Sequence, residues 1–282
     1  MWRRAAALGL MLVLLLGGCT TQIPAASAST PAATPPLAAP PTHIPTVNPI
    51  PAPSPAPRPQ RVAFSCLDGE NWDVCAANPD GTGLVKLTNS SARDTVGAWS
   101  PDGAWLAFYS DRDGASELYV MAADVADTMP LRLTHNSLDE RNAVWSPDGR
   151  WLAYLAGPPE GMDVYVVPAV GGAETRIAGP APRDSTLCWS ADSTRVLYSA
   201  MLAQDNVVLA SVGTAGADAR MLTSGPVVDV LSGCDPTHAR LAAYSFREGN
   251  WDVYLVSATD GSMWRLTSDA APDNYPAWSP DG

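Results

Sequence analysis

The sequence has almost no lysine. Lys86 is the single one in 282 residues, and 17 basic side chains face 29 acidic ones, a formal net charge of −12. Nucleic-acid binding needs clustered Lys and Arg to displace counterions, so that class is excluded. A polybasic grip on anionic lipid is excluded on the same ground. Histidine is scarce too, with His43, His135 and His238 far apart in the chain. There is no Cys-x-x-Cys and no His-Glu-x-x-His, so neither a metal nor a cofactor is expected. The loop Asp111-Arg112-Asp113-Gly114 lacks the remaining ligands of a calcium-binding EF-hand. Gly-x-Ser-x-Gly and Ser-x-x-Lys are also missing, and the chain is not expected to be an enzyme. Long apolar runs are lacking too. The run Ala5–Leu16 is too short to span a bilayer as a stable helix.

That run has a different use. Arg3 and Arg4 precede it, and Leu16-Gly17-Gly18-Cys19 follows. Residues 1–18 read as an export signal. The four residues at its end resemble the lipobox of bacterial lipoproteins. The resemblance implies cleavage before Cys19 and lipidation of its thiol. Loss of Arg3 and Arg4 would leave 15 basic against 29 acidic side chains, a formal charge of −14. Residues 19–60 are nearly uncharged and rich in Pro, Ala, Ser and Thr, including a proline at every second position from Pro49 to Pro57. Such a segment favours extended polyproline II and cannot bury enough apolar surface to fold. It reads as a disordered stalk with a reach of at most about 120 Å. The expected location is extracytoplasmic, in the periplasm or at the cell surface, held to a cell membrane or outer membrane by lipid.

Residues 61–282 are a repeat. Trp-Ser-Pro-Asp-Gly occurs at Trp99–Gly103, Trp145–Gly149 and Trp278–Gly282. Degraded copies start at Trp189 and, with cysteine in place of tryptophan, at Cys234. The spacings are 46, 44, 45 and 44 residues. A second marker keeps the same beat at Leu87-Thr88, Leu133-Thr134, Ile177-Ala178, Leu222-Thr223 and Leu266-Thr267. Within a unit, short Val-, Tyr- and Trp-rich segments alternate with Gly and Pro turns. Four strands per unit of about 45 residues argue for an all-β propeller.

The segments Ala107–Gly114, Leu118–Met121, Leu131–Thr134 and Trp145–Gly149 resemble the repeat of the TolB propeller family, the WD40-like PD40 repeat. The resemblance implies a protein-binding platform in the bacterial envelope. It equally fits the non-catalytic half of prolyl-oligopeptidase-like enzymes. TolB carries an N-terminal α/β domain where this chain has an anchor and a stalk, so the partners of TolB do not carry over. The first unit starts at its second strand, Arg61–Ser65, and the last ends with an inner strand, Pro276–Ser279. Those two ends are expected to close one blade between them. The count is then five blades, read either as a closed five-bladed ring or as a truncated six-bladed one.

Two sets of residues stand out as candidate sites. Asp94, Asp184, Asp229 and Asp273 each lie five residues before the marker position, and Glu140 fills the place in the second unit. With Asp111 and Asp113 nearby, they would form an acidic mouth suited to a basic protein or peptide partner. The alternative is that the carboxylates bond backbone amides and support the loops. The second set is Cys66 with Cys75 and Cys188 with Cys234, candidate disulfides in an exported protein or else buried thiols. The function expected is a lipid-anchored binding or scaffold module. The alternative is the propeller portion of a truncated peptidase, hydrolase or lyase.

Overall fold

The computed structural model describes residues 61–123, 129–158, 161–183, 185–279 and 281–282. The export signal, Cys19, the stalk and Asp184 lie outside the described residues. Five antiparallel sheets follow one another along the chain. The first has three strands, β1 (Val62–Asp68), β2 (Asn71–Ala77) and β3 (Val85–Lys86). The second holds β4 (Asp94–Trp99), β5 (Trp105–Ser110), β6 (Glu117–Ala122) and β7 (Leu131–Arg132). The third holds β8 (Glu140–Trp145), β9 (Trp151–Ala156), β10 (Met162–Pro168) and β11 (Thr175–Ala181). The fourth holds β12 (Cys188–Trp189), β13 (Arg195–Ala203), β14 (Asn206–Gly213) and β15 (Arg220–Met221). The fifth holds β16 (Asp229–Cys234), β17 (Arg240–Ser245), β18 (Asp252–Ser257) and β19 (Met263–Arg265). Each is a meander in chain order, consistent with propeller blades.

Both sequence markers have a local physical cause. In the turn after β4, the Ser100 hydroxyl accepts from the Trp105 amide at 2.9 Å, and Asp102 accepts from the Ala104 amide at 2.9 Å. Ser146 and Asp148 repeat this pattern, as do Ser190 and Asp192. The last turn position is left-handed, at φ 65° in Gly103 and 69° in Gly149. Glycine takes that conformation freely. The degraded copies force Ser193 (φ 59°) and His238 (φ 58°) into it. The Leu-Thr marker caps the third strand. Thr88, Thr134, Thr223 and Thr267 each accept a bond from an amide of that strand: Val74, Leu118, Leu209 and Val253, at 2.8–3.0 Å.

An apolar cluster lies at each boundary between successive sheets. Val74, Leu106 and Phe108 belong to the first, Leu118, Leu133 and Tyr154 to the second. Leu155, Leu187 and Trp189 belong to the third, Leu197, Leu231 and Leu241 to the fourth. The repeated tryptophans stitch the sheets together. The Trp145 indole N–H donates to the Ala98 carbonyl at 3.0 Å, and Trp189 donates to Val144 at 3.1 Å. Each reaches the residue just before the marker position of the preceding sheet.

The expected closure between the chain ends is not found: among the described residues no sheet is closed, the first sheet has three strands, and Pro276–Ser279 forms no strand. The tail packs on the fifth sheet instead. The Tyr275 ring lies 5.3 Å from Tyr244, and the Arg240 guanidinium sits 4.9 Å over the Trp278 ring. Trp278 also lies against Gly233, where a β-carbon would stand 3.8 Å from its Cδ1. These contacts commit the aromatic rings of the tail to the fifth sheet rather than to β1.

Candidate functional site

The periodic acids open the inner strands. Asp94 is paired opposite Ser110 and Asp229 opposite Ser245. The arginine two residues after each serine turns back over it. Arg112 Nη2 reaches both Asp94 oxygens at 3.0 and 3.1 Å, and its Nε donates to Ser110 at 2.8 Å. Arg247 Nη2 reaches both Asp229 oxygens at 2.8 and 3.0 Å. Both guanidinium groups also lie over aromatic faces, Arg112 at 5.0 Å from Tyr119 and Arg247 at 5.3 Å from Tyr254. The two carboxylates are fully buried. They anchor strands and present no open negative charge.

The third sheet departs from this scheme. Glu140 stands opposite Ala156, and Pro158 occupies the arginine place. Its carboxylate accepts instead from the Thr134 hydroxyl at 2.7 Å and the Asn136 amide at 2.8 Å. Burial pushes its pKa up to about 7, with Glu117 and Glu174 adding to the rise and the two hydrogen bonds opposing it. Asp273 donates its backbone N–H to the Trp251 carbonyl at 2.8 Å, while its buried Oδ2 lacks a hydrogen-bond partner among the described residues. Asp111 is exposed and accepts from the Arg93 amide at 2.8 Å. Asp113 accepts from the Tyr119 hydroxyl and lies 3.5 Å from Arg132. Burial and Asp113 together raise the Tyr119 pKa.

A second series of ion pairs escaped the sequence reading. In four of the five sheets an acid at or near the start of the third strand meets a base on the fourth. Asp73 pairs with Lys86 at 2.7 Å, Glu117 with Arg132 at 2.8 Å, Asp163 with Arg176 at 2.6 Å and Asp252 with Arg265 at 2.7 Å. The signal was present: in these four units a basic residue directly precedes the Leu-Thr place. The cysteines pair as Cys66–Cys75 and Cys188–Cys234, with Cα atoms 5.9 and 6.0 Å apart. The second bridge ties β12 to β16. Among the described residues no group of three His, Cys, Asp or Glu is placed to hold a metal ion. A shallow cleft of about 200 Å³ lies between the first two sheets, lined by residues that include Ser90, Arg112 and Met129. An aromatic surface of Tyr244, Phe246, Trp251 and Tyr275 lies on the fifth sheet and tail, with Phe246 and Tyr275 exposed.

The profile described as "TolB beta propeller domain" (PD40) matches residues 42–225. The chain belongs to the TolB β-propeller family. Propellers of this family are non-catalytic scaffolds. Among curated relatives, the "Uncharacterized peptidase YuxL" of Bacillus subtilis (strain 168) is 36% identical over 201 residues. The match covers 71% of this chain and 22% of that protein, so the chain spans about a fifth of its relative. The fold is shared with a putative TolB from Agrobacterium tumefaciens at TM-score 0.56 and 20% identity, over 78% of this chain and 76% of that one. It is shared with a puromycin-hydrolyzing peptidase of Mycobacterium tuberculosis at TM-score 0.51 and 16% identity, over 73% and 39%. The propeller fold is thus shared with a TolB structure and with a peptidase structure.

Proposed function

We propose that this propeller is a non-catalytic module that holds a protein or peptide beside a peptidase-type catalytic domain. The observation that carries this reading is the 36% identity to a curated peptidase of which the match covers only 22%. The peptidase folds that share the propeller support it further. The location proposed is extracytoplasmic, with Cys19 as the lipid attachment point and residues 20–60 as a spacer. The acids proposed to meet a basic partner are Asp111, Asp113 and Asp273, because Asp94 and Asp229 are fully buried beneath arginines. Asp184 is proposed as a lesser contributor, and buried Glu140 as none.

A second reading is a stand-alone envelope platform of the TolB kind. It is supported by the coverage of the Agrobacterium structure, 78% of this chain and 76% of that one. A crosslinked pull-down of the lipidated chain from its native envelope separates the two. Recovery of a peptidase, or a hydrolase domain encoded in the same reading frame, supports the first. Recovery of a non-enzymatic envelope protein alone overturns it in favour of the second. In either case Asp111→Asn/Asp113→Asn should weaken capture, and capture by wild type should fall as salt rises. Capture that ignores both the variant and salt rules out the acidic surface.

A further inference from the structure

Each apolar cluster is built from the facing sides of two sheets, and among the described residues no sheet follows the fifth. Its far side is uncovered. Leu87, Leu133 and Ile177 of the Leu-Thr marker are buried in the clusters that join their sheets to the next, whereas Leu266 is 56% exposed. Of the amides that bond a marker threonine, those of Val74, Leu118 and Leu209 belong to fully buried residues and that of Val253 to a half-buried one.

The tail lies along this side with the shape of an inner strand. Tyr275, two residues after Asp273, is left-handed at φ 54°, as is Asn142, two residues after Glu140. Asn142 lies where β8 pairs with β9 across a shift in register. Pro276 falls at the place of Gly97, Ala143 and Ser232, which the pairing skips in β4, β8 and β16. Proline is tolerated in a sheet at such a bulge. The turn also repeats. The Gly282 N–H donates to the Ser279 carbonyl at 3.0 Å, as Gly103 does to Ser100 at 2.8 Å and Gly149 to Ser146 at 2.9 Å. Yet residues 274–279 pair with no strand among the described residues. A formed strand with an open edge accepts another strand by main-chain pairing.

The site also dictates the chemistry of that strand. Asp94 and Asp229 each meet an arginine two residues after the serine that ends the second strand. Asp273 holds the same place in the repeat, and its buried Oδ2 has no hydrogen-bond partner among the described residues. The two second strands of this chain that end in Ser-x-Arg, β5 and β17, already pair with β4 and β16. We propose that residues 273–279 receive an extended strand from another polypeptide, antiparallel to the tail and ending in Ser-x-Arg, with the arginine on Asp273. Its alternate apolar side chains cover Val253, Leu255 and Leu266, as Leu106 with Phe108 and Leu152 with Tyr154 cover the preceding sheet. The proposal rests on the reading that Asp273 meets a basic partner and specifies that partner as a strand.

The probe is a synthetic peptide copying Ala239–Arg247, the second strand of the fifth sheet with its serine and arginine, added to the full chain. Fluorescence anisotropy reads its affinity. Amide hydrogen exchange locates it, with β5 and β9 amides reporting an intact fold. The amides of residues 274, 275, 277 and 278 should exchange at least about tenfold more slowly with peptide bound. Affinity should fall at least about tenfold for the Arg247→Ala peptide, and equally for the Asp273→Asn chain with the original peptide. No binding to wild type, binding indifferent to both substitutions, or protection confined to other strands each overturns the proposal. Self-association of the chain that Asp273→Asn abolishes also overturns it, by assigning the edge to a second copy. Asp111→Asn/Asp113→Asn should leave peptide binding unchanged. Envelope capture that still depends on those two acids while the peptide fails would sink the strand alone and leave the acidic surface standing.

Discussion

The Thr134 hydroxyl accepts from the Leu118 amide at 2.8 Å and donates to Glu140 at 2.7 Å. One small side chain thus satisfies a buried amide and a buried carboxylate, which explains a marker that the sequence shows only as a rhythm. Thr134→Val should destabilise the fold by about 1–3 kcal/mol, measured by chemical denaturation, because it leaves the Leu118 donor unpaired. Arg112→Met strands the buried Asp94 and should cost about 3–5 kcal/mol, with Asp94→Leu in the same chain recovering much of the loss. Glu140 sets a pH dependence. Its folded pKa of about 7 lies above the ordinary glutamate value of 4.5, so the folded state holds the proton more tightly than the unfolded chain. Its contribution is fully present below about pH 4.5 and is lost as pH rises through 7. Melting temperature followed across that window should fall more steeply in wild type than in Glu140→Gln; parallel curves would remove Glu140 as the cause. The pattern Ser-x-Arg at 110–112 and 245–247 was legible in the sequence. Its partner was not, because Asp94 lies 18 residues before Arg112 and only the sheet brings them together.

At the scale of the strand and sheet, the repeat was readable because each unit solves the same problems with the same residues. The Ser-Pro-Asp-Gly turn, the capping threonine and the alternating second strand are local, so their spacing carries through. The stitching between sheets is not local. Trp189 donates to a carbonyl 45 residues earlier. Trp189→Phe keeps most of the apolar bulk but strands the Val144 carbonyl, and should cost about 1–3 kcal/mol. Hydrogen exchange should then quicken first in β8 and β12, the strands joined by that bond; uniform quickening across all five sheets would argue against a boundary effect.

The whole molecule is a series of like sheets, each burying its neighbour, so the cores lie between blades and every boundary must be covered. The sequence by itself determined the period, the strand count per unit, the family and the acidic charge balance, because each follows from residue types at fixed spacing. It also placed an acid five residues before every marker. Tertiary structure alone decided what those acids do. An arginine reaches Asp94 and Asp229, none reaches Glu140, and so charge is neutralised in two sheets and retained as a titrating group in a third. Tertiary structure also decided the ends. A matching motif at Trp278 is not enough to pair the tail with β1. The rings of Tyr275 and Trp278 find their partners on the fifth sheet instead, in Tyr244 and Arg240.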